Sequence, residues 1–354
     1  MSGEALGRWP RLVQWAVLVA CSAGLAVLFH AIGLPAPFLL GPMIVAVVAG
    51  VNGAEVRPWR PLFSAAQAVV GVLIALSVEW RILEFLVADW ALIGGAVLAT
   101  VAASSALGYL ISRWGVLPGT TGVWGSAPGA STAMVLMAEA FGADARLVAF
   151  MQYLRVIMVS VAAALVAGLW VDTSGVVAEP QPWFPPLDAE AFPIALGIAV
   201  MGGLAGRLLR LPSPFFLGAF ALGVGLHLGM GLPLQLPPWL LVFAYTVIGW
   251  SIGLNFTRPV LLLAARALPQ LVLAILLLMG FCGLIAFALA RLLGLDPLTA
   301  YLATSPGGMD SVAIIAAASD RVDLSFVMAL QLARFLLVLI AGPPLARWVA
   351  RRIG

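Results

Sequence analysis

The chain has no lysine, and only 9% of its 354 residues are charged. So little charge excludes an ordinary water-soluble domain, in which about a quarter of the residues are charged. Histidine and cysteine are equally scarce, with two of each. Cys21 and Cys282 stand alone in apolar runs, so they offer neither a disulfide framework nor zinc-ligand spacing and leave the redox compartment open. His30 and His227 do not occupy equivalent places, which suits interfacial or packing roles and not a copper or zinc cluster. A phosphate-binding glycine loop, a G-x-S-x-G turn and a paired-carboxylate signature are also missing. The expectation is a chain with no cofactor and no enzymatic activity.

What is present is apolar: 63% of residues are hydrophobic and the mean hydropathy is +1.11. These values define an integral membrane protein. A net charge of +3 and a pI near 9.3 would suit nucleic acid, but the arginines are scattered singly between apolar spans. They read as topology signals, and no nucleic-acid partner is expected. Arg8 and Arg11 precede an apolar run over 12–31 that resembles a signal peptide, with a lipoprotein-like Leu18-Val19-Ala20-Cys21 box. The run continues past Cys21 and has a counterpart over 192–209, so a retained spanning helix is expected.

Further spans are predicted over 37–51, 62–78, 85–112 and 146–170, then over 192–209, 214–228, 239–254, 260–293 and 324–349. The order repeats. Leu34-Pro35-Ala36-Pro37-Phe38-Leu39-Leu40-Gly41 matches Leu211-Pro212-Ser213-Pro214-Phe215-Phe216-Leu217-Gly218, and Gly71 matches Gly249. The chain therefore divides into a first transmembrane repeat, 1–171, an extracytoplasmic linker, 172–190, and a second repeat, 191–354. Small residues such as Gly202, Gly203 and Gly206 allow close helix approach. Tryptophans near span ends, such as Trp9, Trp59 and Trp114, read as interface anchors.

The most informative duplication is a Pro-Gly break inside an apolar segment. Pro128-Gly129 aligns with Pro306-Gly307 at an offset of 178, and Asp144, Gln152 and Arg155 align with Asp323, Gln331 and Arg334 at 179. Such paired interruptions point to a transporter core. If each broken segment dips in and returns, each half has five crossings and the repeats are inverted. With both termini cytoplasmic, thirteen of the sixteen arginines outside spans then lie inside, whereas full crossings give nine against seven. The positive-inside bias favours inversion.

Inverted repeats would bring the two breaks together near the midplane, where freed backbone groups and half-helix N-termini can receive an anion. The candidate substrate-binding residues are Ser126, Pro128, Gly129, Ser131, Thr132, Gln152 and Arg155 in one copy. In the other they are Ser305, Pro306, Gly307, Gly308, Asp310, Ser311, Gln331 and Arg334. Asp144 to Arg155 is ~16 Å of helix, which places the guanidinium near mid-membrane. Gln152 and Gln331 lie three residues earlier on the same face. Two readings of each arginine stand open: contact with an anionic solute, or a brace salt-bridged to Glu139 or Asp310 or bonded to freed carbonyls. Asp310 and Glu139 are the candidate coupling-ion residues, and a helix-capping carboxylate is the plainer reading of Asp310.

G-T-T-G-V-W-G-S-A-P-G-A-S-T-A-M, from Gly119 to Met134, and Ser305-Pro306-Gly307-Gly308-Met309-Asp310-Ser311 resemble the AbrB family of bacterial membrane proteins over essentially the whole chain. That family is distinct from the soluble DNA-binding regulator of the same name. Labels attached to it include a regulator of an alkylation-response gene and an ammonia monooxygenase. This sequence offers no DNA-binding element and no metal cluster to support either. The layout is also similar to the cation/proton antiporter and anion transporter group, whose members have inverted repeats with crossing broken helices and often move one domain as an elevator.

The expectation is an all-α polytopic protein of the bacterial inner membrane, with two inverted repeats of about five transmembrane helices plus a broken segment each. It would act as an elevator-type secondary transporter of a small anionic organic solute, coupled to Na⁺ or H⁺ and assembled as a homodimer in the lipid bilayer. The alternative is a membrane-embedded regulatory or sensor subunit acting through a partner, with neither terminus long enough to be a separate domain. A membrane enzyme such as a monooxygenase comes third.

Overall fold

The structure, a computed structural model, describes residues 6–7, 9–32, 34, 36–78, 80, 90–170, 182–307 and 322–353. Described secondary structure is helical throughout. In chain order the helices are α1 (Arg11–Ala31), α2 (Pro37–Val51), α3 (Arg60–Leu76), α4 (Trp90–Arg113), α5 (Thr121–Ser126), α6 (Ser131–Ala140) and α7 (Ala145–Trp170). There follow α8 (Ala191–Leu208), α9 (Pro214–Met230), α10 (Pro238–Gly253), α11 (Arg258–Leu293), α12 (Pro297–Thr304) and α13 (Leu324–Ile353). The predicted spans reappear with boundaries shifted by a few residues; residues 85–89 of the fourth lie outside the described residues.

Among the described residues, six helices are long and apolar enough to cross a bilayer: α1, α4, α7, α8, α11 and α13. Their outer faces are oily. On α11, Leu273, Leu277, Leu284 and Phe287 are each more than half exposed. Water would not tolerate so large an apolar patch, whereas lipid tails solvate it. α2, α3, α9 and α10 are shorter, at 15 to 17 residues.

The chain folds into two compact units, and each draws on both sequence halves. The first comprises Met1–Val78 with Gln181–Leu263, and the second Glu79–Pro180 with Ala264–Gly354. In the first unit, α1 packs on α2 and α8 on α9, while α2 packs on α10 and α9 on α3. Each contact therefore has its duplicate. Apolar association gains little in lipid, so close packing must supply the attraction, and small residues permit it.

The aligned glycines occupy these contacts. A Cβ on Gly71 of α3 would stand 2.5 Å from the Phe216 carbonyl oxygen of α9, and one on Gly249 of α10 would stand 2.8 Å from the carbonyl of Leu39 on α2. Leu39 and Phe216 are themselves aligned. A Cβ on Gly41 would meet Ala26 backbone at 2.7 Å, and one on Gly218 would press on the Gly202 carbonyl. Backbone on both sides cannot give way. Gly71→Ala and Gly249→Ala are each expected to cost about 1–3 kcal/mol, read as a lowered Tm of the purified protein, whereas Gly24→Ala, with nothing near it, leaves Tm unchanged.

The entrance to the second helix of each repeat is also duplicated. Ala36 and Ser213 hold the left-handed region, with φ of 50° and 48°, immediately before Pro37 and Pro214. Their carbonyls then accept the first helical bonds, from Leu40 and Leu217.

In the second unit, α5 packs on α7 as α12 does on α13, and α6 lies against α7. α4 contacts α5 and α13. Ile93 and Val97 of α4, Ala286 and Leu289 of α11, Leu302 of α12 and Phe326 and Leu330 of α13 share one buried core. Both Pro-Gly breaks and both glutamine–arginine pairs belong to this unit.

Candidate functional site: two braced helix breaks

Proline produces both breaks. It lacks an N–H and its ring drives the preceding residue out of the helical region. Ala127 before Pro128 has φ −60° and ψ 121°, and Ser305 before Pro306 has φ −55° and ψ 134°. Both are extended, so α5 and α12 stop and leave carbonyls without helical donors.

The glutamine and arginine of the following long helix take up those carbonyls. Gln152 Nε2 donates to Trp124 at 2.8 Å and Ala127 at 3.0 Å; Gln331 Nε2 donates to Leu302 at 2.9 Å and Ser305 at 3.2 Å. Arg155 Nη1 donates to Ser126 at 3.4 Å and Ala127 at 2.9 Å, while Arg334 Nη1 reaches Thr304 at 3.3 Å and Ser305 at 2.8 Å. In each copy Nη2 donates to the glutamine Oε1, at 2.6 Å for Arg155 and Gln152 and also between Arg334 and Gln331. The two braces coincide bond for bond.

All four side chains are buried, at 0% and 1% exposure for Gln152 and Arg155 and 1% and 3% for Gln331 and Arg334. A guanidinium against the C-terminal carbonyls of a half-helix meets the negative end of its dipole. Among the described residues neither arginine has a carboxylate within ion-pair distance, the ion pairs there being Arg11–Glu55 and Arg146–Asp144. Among the described residues, carbonyl oxygens and the two glutamine amides are what the guanidiniums meet.

One donor breaks the equivalence. Arg334 Nε donates to the carbonyl of Pro128 at 2.8 Å and ties the second brace to the first break. Arg155 Nε is buried and, among the described residues, has no partner. Arg155 and Ser126 border a cavity with about 20 Å³ of space for a water-sized occupant, whose other lining is Gly125 and apolar side chains of α4, α7 and α11.

The other candidate residues divide by how their polar groups are used. Thr132 Oγ1 is 3.1 Å from the Tyr153 hydroxyl. The Ser305 hydroxyl donates back to Leu302 at 3.1 Å, so it faces its own helix. The Ser131 hydroxyl is buried without a partner at the start of α6, a ten-residue helix with no capping side chain. Ser126 enters the brace through its carbonyl alone. Gly129 donates to Ala127 at 3.0 Å within the turn. Pro306 and Gly307 are described, whereas Gly308, Asp310 and Ser311 lie outside the described residues. Glu139 is exposed near the end of α6, and among the described residues it forms no ion pair with Arg155.

Two threonines that the sequence reading did not single out tie the short helices to the long ones. Thr121 Oγ1 accepts from the Asp144 amide at 3.3 Å, and Thr299 Oγ1 from that of Asp323 at 3.2 Å. They align at the same 178-residue offset as the breaks, which was the available signal. Asp144 and Asp323 cap the following helices through the amides of Leu147 and Phe326. Burial alone would raise the Asp144 carboxyl, but hydrogen bonding and charge from Arg146, with two backbone amides, outweigh it and leave the group below its ordinary value.

The donors at the breaks are guanidinium, carboxamide and hydroxyl groups, which suit an anion better than a metal cation. An all-helical, apolar-faced chain with duplicated helix breaks defines a polytopic membrane protein with paired discontinuous segments. The family described as "Transition state regulatory protein AbrB" matches residues 38–350. The chain belongs to that AbrB family. It is 43% identical over 340 residues to "Putative regulator AbrB" of Escherichia coli (strain K12), covering 96% of this chain and 97% of the relative. It is 24% identical over 360 residues to "Uncharacterized protein YhjN" of Bacillus subtilis (strain 168), covering 94% and 92%.

Proposed function

We propose that the chain is a secondary transporter of a small anionic organic solute, set in the bacterial inner membrane. The observation that carries this reading is the pair of matching helix breaks in one compact unit, each held open by a buried glutamine–arginine brace. Irregular backbone is tolerated at membrane depth only where protein buries it or water reaches it, and discontinuous helices of this kind form the binding centres of carriers. A brace that holds free carbonyls and amides in place keeps a polar centre from collapsing into regular helix.

The proposed topology has ten crossings, two re-entrant segments and both termini in the cytoplasm. The four shorter helices complete the crossings, and the repeats are inverted. The unit holding both breaks moves as an elevator, in a homodimer. Coupling to Na⁺ or H⁺ is assigned to Asp310 and Glu139. The chain carries solute and performs no covalent chemistry.

The test is uptake into proteoliposomes holding the purified protein, using radiolabelled organic anions with and without Na⁺ and pH gradients. Saturable uptake, accelerated by unlabelled solute on the far side, is the expected result. Flux that rises linearly with concentration would mean a channel. A regulatory reading rests on the printed names of the family and of one relative; silence across a broad anion panel together with a stoichiometric co-purifying protein would favour it.

A further inference from the structure

The first unit contains a cavity that neither helix break uses. It holds about 260 Å³ and lies between α1 and α2, walled by residues from Gln14 to Leu25 on α1 and from Ile44 to Ala49 on α2. Leu6, Ala54 and Val56 line it at the Gln14 end, where Gln14 Oε1 accepts from the Glu55 amide at 3.0 Å. Past the other end, α1 and α2 meet closely at Ala26 and Gly41. The space is a crevice between two helices that touch at one end.

Its walls decide what can enter. Gln14 is the one lining side chain with a strong hydrogen-bonding group, and it is spent on backbone, donating to Trp9 at 2.9 Å as well as accepting from Glu55. Water needs two to four polar partners and does not find them here. Left empty, so large a space would cost its walls their dispersion contacts. Val17 and Cys21 of α1 and Ile44 and Val48 of α2 are exposed, so the crevice opens sideways toward lipid. Gln14 to Leu25 spans ~16 Å of helix, about half the hydrocarbon core. That is the depth of one leaflet. A helix of a second copy, about 10 Å across, would need several times this volume over the same length.

The second repeat covers the same ground with its own side chains. At the 177-residue offset of Pro37 and Pro214, Cys21, Val45 and Ala49 align with Ile198, Leu222 and Leu226. Those larger residues pack together in one apolar cluster. Gly202, where Leu25 stands in the first repeat, also brings α8 against α9, since a Cβ there would be 2.6 Å from Ala219 Cα. The first repeat lacks that internal filling.

The Gln14 end is also cationic. Arg57 Nη1 donates to the carbonyls of the lining residues Ala54 and Val56, at 2.8 and 2.7 Å. Arg11, one turn before Gln14, stands 4.0 Å from Glu55, and both side chains are mostly exposed. Arg60 follows at the start of α3, also exposed. Among the described residues here, three arginines against one glutamate attract anionic headgroups at a membrane surface.

We propose that this crevice seats one acyl chain of an anionic phospholipid, with the headgroup phosphate beside Arg11 and Arg57. The inference needs the chain to lie in a bilayer and does not rest on the transporter reading.

The experiment uses the detergent-purified full chain. Phospholipid retained after washing is extracted and counted, and about one anionic molecule per chain is expected, the crevice being the depth of one leaflet. Cys21→Ile with Ala49→Leu gives the crevice the residues of the second repeat. This variant is expected to lower the count at least ~fivefold with Tm unchanged or raised, because filling a void restores packing contacts. Cys21 also reports directly, since Cys282 is buried. In delipidated protein, phosphatidylglycerol is expected to slow the reaction of Cys21 with an apolar maleimide, saturably. Arg11→Gln with Arg57→Gln is expected to raise its half-protecting concentration at least ~fivefold, and phosphatidylcholine to need a similar excess, because each arginine near the surface contributes about that factor toward anionic lipid.

Equal protection by the two lipids, no protection by either, or full retention in the filled variant overturns the proposal. Protection that follows protein concentration without lipid assigns the crevice to a second copy and overturns it as well. The labelling is read on the wild-type crevice, so it decides the matter even where the filled variant does not fold.

Discussion

Arg334→Gln is expected to destabilise the protein by about 3–5 kcal/mol, and Arg155→Gln by about 1–2 kcal/mol less. The two arginines share one motif and nearly equal burial, so sequence alone assigns them equal weight. Their bonding separates them. Arg334 donates to Thr304, Ser305, Gln331 and Pro128, and the last bond closes a loop of 206 residues between the two breaks. Its removal leaves four acceptors short in a dry interior, where each buried unsatisfied group costs about 1–3 kcal/mol.

Arg155 donates to Ser126, Ala127 and Gln152 only, and its removal also relieves an unmet Nε–H. Denaturant unfolding or Tm of both variants in the same detergent checks the order. Equal losses would mean that the Pro128 link carries no weight.

The second large effect concerns the break itself. The double change Pro128→Ala, Gly129→Ala is expected to lower solute flux at least tenfold while the protein still folds, the helix gained offsetting the acceptors that Gln152 and Arg155 lose. Alanine restores the missing N–H and removes the ring clash that holds Ala127 extended. α5 and α6 can then join into one helix, and each alanine in place of proline or glycine favours helix by about 1–3 kcal/mol. The carbonyls of Trp124 and Ala127 would find helical donors and no longer need Gln152.

A carrier that depends on the break loses its binding centre by this route. Flux at the wild-type rate with a continuous helix would sink the idea that the break forms the solute site. Far-UV circular dichroism reports whether the added helix has formed, so a null flux change with no added helix is not mistaken for that result.

Much of this molecule follows from local rules. Hydropathy places the spans because lipid rejects charge over any run of about twenty residues. Pro128 and Pro306 place the breaks because a proline ring acts on its immediate neighbour. Gln152 with Arg155, and Gln331 with Arg334, share a helix face because three residues nearly complete a turn. The aligned glycines mark close contacts because the copies share a pattern.

What each group touches was decided by the tertiary structure, since that depends on elements distant in sequence meeting in space. The sequence reading left each arginine open between an anionic solute and a brace held by an internal carboxylate or freed carbonyls. In the fold their guanidiniums meet carbonyls at the end of the preceding half-helix. The sequence divides at its linker, yet the compact units each take parts of both halves, because a helix is buried by whichever neighbours complete its packing. The Pro128 link to Arg334 and the void beside Arg155 have no trace in the repeat, since equivalent sequences in one chain can pack into inequivalent surroundings.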